Sequence, residues 1–410
     1  RRDATVTGRL PLIFITLTIL IDGIGIGLIF PVMPDLIREL TGRNLSDAAI
    51  WGGVLATSYA VMQFFFGPIV GNLSDRFGRK PILISALIIL ALDYLIMAMA
   101  HTIWLLLLGR LLAGITAATQ STASAFMADV SAPEEREKNF GLVHAAMGIG
   151  FALGPLIGGL LAGIDTRAPF YAAAILAGGN ALFGLFVMPE SLATDKRRAF
   201  SLKRANPFAA FHAIGTLGGV FPLLVVFGLY QVAYFVYPAI WAFFAQAQFS
   251  LDTTTIGLTL FVFGVSMGIS QAFLIAPLTK RFGAYVVVLG AIVIDVVAFI
   301  SIGFATSVAV MWFLTVITGV SSIAMPALQA IMSRAAPDDR QGELQGVLGS
   351  IAALATIVSP LLMTETFAIF TRSDAPIRLP GAPFLIAALL TATCFIILVR
   401  WQRKTGGNLR

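Results

Sequence analysis

The sequence predicts an all-α membrane protein whose twelve transmembrane helices form two six-helix halves, and three observations carry that expectation. The first is composition: of 410 residues, 58% are hydrophobic and 12% are charged, and the mean hydropathy is +0.90. A soluble domain carries about 25% charged residues, and surface-to-volume scaling would leave much of this apolar surface facing water. The second is spacing, because apolar runs of roughly 20 residues, enough to cross a hydrocarbon core as a helix, recur along the whole chain between short polar loops. The third is repetition. Leu73-Ser-Asp-Arg-Phe-Gly78 returns as Leu278-Thr-Lys-Arg-Phe-Gly283, and Gly141 and Pro155 return as Gly346 and Pro360, each displaced by 205 residues, half the chain.

Span 1 is expected near 10–34. Its apolar run outlasts a signal peptide and lacks an A-x-A cleavage site, so it reads as a retained helix. Spans 2 to 6 follow near 49–72, 81–100, 103–127, 140–163 and 169–189. Spans 7 to 12 follow near 216–243, 255–278, 284–304, 308–332, 344–366 and 382–400. Gly23, Gly25, Gly27, Pro31, Pro155, Pro326 and Pro360 fall inside these runs, which membrane helices tolerate because neighbours re-satisfy the freed backbone groups. The longest connection, about 190–215, carries Lys196, Arg197, Arg198, Lys203 and Arg204, and separates an N-terminal half, 1–189, from a C-terminal half, 216–410.

The net charge of +6 reads as topology rather than as a nucleic-acid footprint. Of the 27 Lys and Arg, 21 lie at the termini and in the loops after spans 2, 4, 6, 8 and 10; the opposite loops hold only Arg38, Arg43, Arg167, Arg372 and Arg378. Both termini are therefore expected in the cytoplasm. The lone cysteine, Cys394, sits in the last span, which excludes a disulfide framework and a cysteine metal site. His101, His144 and His212 stand far apart, with no H-E-x-x-H pair, serine elbow or Walker loop. An enzyme and an ATP-driven pump are thus disfavoured, and transport would draw on an ion gradient.

Ionisable groups inside spans are costly and are functional candidates by default. There are four: Asp22, Asp93, Arg110 and Asp295. At ~1.5 Å per residue, Asp22, Asp93 and Arg110 lie roughly 18 to 19 Å from the inner ends of spans 1, 3 and 4, and Asp295 lies about 17 Å along span 9. All four share one depth. A carboxyl group there can take up and release a proton as its exposure and pairing alternate, and Arg110 is expected to pair with Asp22 in one conformation and free it in another. Adding the repeat offset to Asp93 lands one turn from Asp295. The in-span amides Gln63, Gln231 and Gln271, with Tyr234, Tyr237 and Trp241, offer hydrogen bonds and aromatic faces to a flat polar-aromatic ligand. Asp75, ending span 2, is placed to accept hydrogen bonds from the positive N-terminus of another helix. Its repeat counterpart is Lys280, and that of Asp129 is Arg334, so any latch is asymmetric. Gly148 to Gly159 reads as a small-residue seam for close helix contact.

With these motifs in place, a family resemblance emerges. Gly71-Asn-Leu-Ser-Asp-Arg-Phe-Gly-Arg-Lys80 resembles the G-x-x-x-D-R-x-G-R-K signature of the major facilitator superfamily. Arg110-x-x-x-Gly114 and Gly148-x-Gly-x-x-x-Gly154-Pro155 resemble its proton-antiporter signature. Asp22 to Pro34, Leu92-Asp-Tyr94, Asp252 to Gly257, Met325-Pro-Ala-Leu-Gln329 and Arg340 to Gly346 resemble the tetracycline/proton antiporters over both halves. The resemblance implies the major facilitator fold and proton-coupled export of tetracycline-like drugs across the bacterial inner membrane by alternating access. It implies coupling roles for Asp22, Asp93, Arg110 and Asp295, and a gate built from Gly71, Asp75, Arg76, Gly78, Arg79, Asp129, Gly154 and Pro155. In that gate Asp75 meets span 11 and Arg79 pairs with Asp129. The drug-binding candidates are Gln63, Gln231, Tyr234, Tyr237, Trp241, Met267 and Gln271. Met267 stands where the family carries a histidine, which leaves open the export of a different amphipathic compound; a transporter-like receptor or scaffold is a third reading. The drug would travel as a chelate with a divalent cation, making magnesium a cargo, with no cofactor or metal held by the protein. The implied partners are the drug and the bilayer, with no nucleic acid and no obligate protein partner.

Overall fold

The computed structural model describes residues 9–116, 119–131, 135–201 and 205–404, and all regular structure among them is helical. Eleven helices are long and apolar enough to cross a membrane, against the twelve expected. The difference lies in span 4, which stands as two described pieces, α5 (Ile103–Thr116) and α6 (Thr119–Val130). The remaining helices of the first half of the chain are α1 (Arg9–Ile29), α2 (Met33–Thr41), α3 (Leu45–Phe77), α4 (Arg79–Met99), α7 (Arg136–Ala162) and α8 (Ala168–Val187). After short 3-10 turns come α9 (Phe221–Tyr234), α10 (Val236–Phe249), α11 (Thr253–Ile269), α12 (Ile275–Phe282), α13 (Ala284–Gly303), α14 (Val308–Ser321), α15 (Ala324–Ala335), α16 (Gln341–Ile369) and α17 (Ala382–Lys404).

Several expected spans are interrupted, and four of the interruptions stand four residues ahead of a proline, although Pro68, Pro155 and Pro360 lie inside continuous helices. A proline inside a helix removes the bond to the carbonyl four residues back and its ring clashes with that carbonyl. Pro34 stands four residues after Phe30, where α1 has ended; Pro238 after Tyr234, where α9 ends; Pro326 after Ser322, between α14 and α15. In span 8, Pro277 stands four residues after Phe273, inside a π-helical turn, Ser270–Leu274, that joins α11 to α12. Span 1 therefore closes at Ile29 rather than at 34, and α2 continues as a separate amphipathic helix ended by Gly42 at φ 63°. The helices carrying basic ends overrun the expected spans, α3 to Phe77 and α17 to Lys404, because Arg and Lys stems cover apolar surface while their heads stay in water.

The chain forms two compact units. The first comprises residues 1–42, 58–207 and 253–261, the second 43–57, 208–252 and 262–410, so the start of α3 belongs to the second unit and the start of α11 to the first. In the first unit α1 packs along α7 and α8, and α4 along α8. The α1–α7 contact is backbone to backbone: a Cβ on Gly154 would stand 2.6 Å from the Ile24 carbonyl and 2.7 Å from the Gly27 Cα. The close-packed seam runs from Gly150 to Gly159, while Gly148, expected to begin it, faces open space; at its far end Thr254 Oγ1 donates to the Gly159 carbonyl at 2.9 Å. In the second unit α13 and α9 both pack on α17, around Phe227, Tyr230, Val288, Ile292 and Leu398. There the start of α3 meets α16 through Thr57 Oγ1, which donates to the Ile357 carbonyl at 2.9 Å. The duplication reaches the backbone: Gly78 at φ 109° precedes α4 and Gly283 at φ 81° precedes α13, both in the left-handed region that a side chain disfavours.

Candidate functional site

The intramembrane charges of the first unit gather around the α4–α5 hairpin. Asp93 and Arg110 sit on its two arms, each roughly 10 Å from the connecting turn at 1.5 Å per residue, so they meet across it. Arg110 Nη2 donates to Asp93 Oδ2, and the pair is sealed, with Asp93 only 1% exposed. In this conformation the partner of Arg110 is the carboxylate on the adjacent hairpin arm rather than Asp22. Gly109 makes room for it, since a Cβ there would lie 2.7 Å from Asp93 Oδ1. The guanidinium also lies over the Tyr59 ring, 5.6 Å from its centroid, and Nη2 reaches Met97 Sδ at 3.0 Å. Asp93 Oδ1 and Arg110 Nε are buried with no hydrogen-bond partner among the described residues.

Asp22, half-buried on α1, makes no ion pair among the described residues and acts electrostatically on Tyr59 and Tyr94. The Tyr94 hydroxyl lies where a Cβ of Gly25 would stand, which brings it against α1 one turn from Asp22. Of the two carboxylates deep in the spans of the first unit, Asp93 is compensated by Arg110 and Asp22 has no ion pair among the described residues.

In the second unit Asp295 is fully buried on α13. Its carboxylate accepts hydrogen bonds from Tyr230 Oη at 2.6 Å and from Ser321 Oγ. No ion pair to Asp295 occurs among the described residues. Tyr230 stacks on Tyr234, with ring centroids 5.2 Å apart, and Tyr234 Oη donates to the Thr318 carbonyl at 2.6 Å. Tyr230 and Ser321 escape a sequence reading because a tyrosine and a serine in a span carry no signal until the helices are placed.

The expected drug-binding residues are only partly brought together. Gln231, Tyr234 and Met267 of the second unit and Gln63 of the first are half-buried. Tyr237 and Trp241, expected to line a cavity, lie instead inside an aromatic core. Tyr237 packs on Phe263 at 4.6 Å and Trp241 on Phe384 at 6.0 Å, with 3% and 1% exposure. Gln271 is exposed on the π turn ahead of Pro277, away from that core. The reason is rotational: the breaks at Phe235 and at the π turn reset the helix faces that a continuous helix would give.

The Gly71–Lys80 loop forms a network. Arg79 Nη1 donates to Asp75 Oδ1 at 2.6 Å and to Ser74 Oγ at 3.2 Å, and Arg79 Nε to Asp129 Oδ2 at 3.2 Å. The Arg79–Asp129 pair is the one the resemblance implied, while Asp75, expected at a helix N-terminus, takes Arg79 as a partner. A carboxylate also reaches the N-terminus of α4: Glu190 accepts from the backbone N–H of Arg79 at 2.8 Å and of Lys80 at 3.3 Å. Gly78 clears the approach, for its Cβ would collide with that carboxylate. The segment after α8 continues along the loop, with Ser191 Oγ donating to Asp129 at 3.1 Å and Asn72 Nδ2 to the Ser201 carbonyl at 2.6 Å. Arg76 points outward over Phe77, 5.1 Å from the ring centroid, and Gly71 faces open space.

The chain as a whole is similar to known proteins. The Major Facilitator Superfamily model matches residues 15–240 and 223–408. The chain is 39% identical over 397 residues to the class C tetracycline resistance protein of Escherichia coli, covering 96% of this chain and 98% of that protein. It is 35% identical over 380 residues to the class G tetracycline resistance protein of Vibrio anguillarum, covering 93% and 95%. Among solved structures, a bacterial homolog of the human lysosomal transporter Spinster, inward-facing and occupied, aligns with a TM-score of 0.76 over 96% of each chain at 17% identity, a likeness of fold.

Proposed function

The chain belongs to the major facilitator superfamily, among the tetracycline resistance proteins, and from that premise we propose that it exports tetracycline-like drugs across the bacterial inner membrane in exchange for protons, by alternating access. The observation that carries the proton half of this reading is Asp295, fully buried and held by two hydroxyl donors. A carboxyl group held by hydroxyls alone is neutral only with a proton on it, and a bare charge at that depth is expensive. Loading and releasing the proton therefore change the charge that the second unit carries through its cycle. Asp22, half-buried, is a second carboxylate without an ion pair among the described residues, whereas Asp93 is neutralised by Arg110.

The bias of Lys and Arg supports an orientation with both termini in the cytoplasm. In this reading the drug crosses as its divalent-cation chelate, so magnesium is cargo, and the half-buried Gln231, Tyr234 and Met267 of the second unit offer it polar and polarisable contacts. Met267 in the family histidine's position favours a second reading, export of a different amphipathic compound, which a resistance panel in a pump-deficient host separates from the first.

The test uses inverted membrane vesicles. Tetracycline uptake should collapse on addition of a protonophore, and Asp295→Asn should abolish drug-driven proton movement while the protein remains inserted, because an amide keeps the shape and cannot titrate. Uptake indifferent to the protonophore, or near wild-type coupling in Asp295→Asn, overturns the reading.

A further inference from the structure

Where the first unit surrounds its basic loop with Asp75, Asp129 and Glu190, the second unit has Lys280 and Arg334 at the positions equivalent to the two aspartates. Beside these two cations lies a cavity of about 960 Å³ between α12, the start of α13, α15 and the Gln402 end of α17. Lys280 and Arg334 both line it, and neither meets an acidic partner among the described residues; Arg334 Nε donates only to the Ala330 carbonyl of its own helix, at 3.2 Å. Two more cations stand close by. Arg281 lies over the Phe282 ring, 5.2 Å from its centroid, and Arg403 acts electrostatically on Tyr285, whose phenol also lines the cavity. Thr279 and Gln402 add polar groups to the wall, the remaining lining is apolar, and the rim is exposed, with Phe282 at 50% and Val286 at 52%.

We propose that this cavity binds the phosphate of an anionic phospholipid, with Lys280 and Arg334 on the phosphate and the acyl chains along the Phe282–Val286 rim. Three features favour a lipid over a soluble anion. The cavity has the size of a small-molecule site, more than a bare phosphate fills. It joins a cationic end to an apolar rim, matching an amphiphile in charge and in polarity. And it sits at the helix ends that flank a basic loop, the depth of a headgroup layer, where such basic pockets recognise anionic lipids. Retention of membrane topology needs only the charges; a cavity between them is additional.

The full-length protein, stripped of lipid in neutral detergent, is titrated with phosphatidylglycerol or phosphatidylcholine and read by native mass spectrometry. Wild type should bind phosphatidylglycerol in preference, and Lys280→Gln with Arg334→Gln should weaken that binding by roughly 30-fold, the loss expected for two basic contacts. Lys280→Arg with Arg334→Lys should retain it. Ala330→Leu, which narrows the cavity and leaves every charge and the topology in place, should weaken it too. Equal binding of the two lipids, unaltered binding in the charge-removed and Ala330→Leu variants, or displacement of the lipid by excess inorganic phosphate overturns the proposal; the last would make the site one for a soluble anion. None of these readouts depends on drug transport.

Discussion

Arg110 shows what one side chain can settle. Its guanidinium has one close carboxylate, Asp93, one aromatic face, Tyr59, and one thioether, Met97. Removing one member of a buried pair leaves an uncompensated charge and costs about 3 to 5 kcal/mol, whereas removing both can be nearly neutral. Asp93→Asn should therefore lower the thermal stability of the purified protein sharply, and Asp93→Asn with Arg110→Gln should restore most of it. Gly109→Ala is expected to act like the single variant, because its methyl group would displace the Asp93 carboxylate. Melting temperatures in detergent check all three, and a double variant less stable than Asp93→Asn would mean that Arg110 is held by something other than Asp93. The depth of these groups was legible in the sequence, but the pairing was not. Depth is a sum along one helix, while partnership depends on which helix is next to which, and the short α4–α5 turn decides that.

At the scale of elements, the sequence was most informative where physics is local. Apolar runs located the spans to within a few residues, and the interruptions near Phe30, Tyr234, Ser322 and Phe273 follow from prolines four residues later. The rule that ends a helix before a proline points to them but does not separate them from Pro68, Pro155 and Pro360, which lie inside continuous helices. Glu190 was not readable. An acid in a connecting segment announces nothing until the segment folds back onto the N-terminus of α4, where two backbone donors and the helix dipole wait for it. A side-chain cap of this kind contributes about 0.5 to 2 kcal/mol. Glu190→Ala should thus increase hydrogen exchange at the amides of Arg79 and Lys80 by roughly tenfold, the equivalent of about 1.4 kcal/mol, and leave the α13 amides unchanged. Uniform protection in both places would show that the cap contributes nothing to α4. Aromatic residues carry the opposite lesson: Tyr237 and Trp241 have the chemistry of a binding face, yet the break at Phe235 turns them into a core.

At the scale of the whole molecule, a duplicated backbone carries unlike chemistry in its two copies. Gly78 and Gly283 keep the same turn, but Arg79 is held by Asp75 and Asp129, whereas Ala284 follows Gly283 and Lys280 and Arg334 replace the two acids. The network around Arg79 is a partly exposed cluster, its side chain 12% accessible. Single exposed pairs contribute little, but a cluster with shared partners contributes more. Because the drug candidates lie within the spans and this cluster lies at their ends, the two can be perturbed separately. Arg79→Ala should slow drug exchange across proteoliposomes by roughly tenfold, as expected when about 1.4 kcal/mol is lost from one state of the cycle, with the affinity for drug in detergent unchanged. Arg79→Lys keeps the charge but loses the planar fork that reaches both aspartates at once, and should fall between. High salt should narrow the difference between wild type and Arg79→Ala, because the cluster is open enough to be screened. A variant that loses drug affinity while exchanging bound drug at the wild-type rate would place Arg79 in the binding site and remove it from the gate.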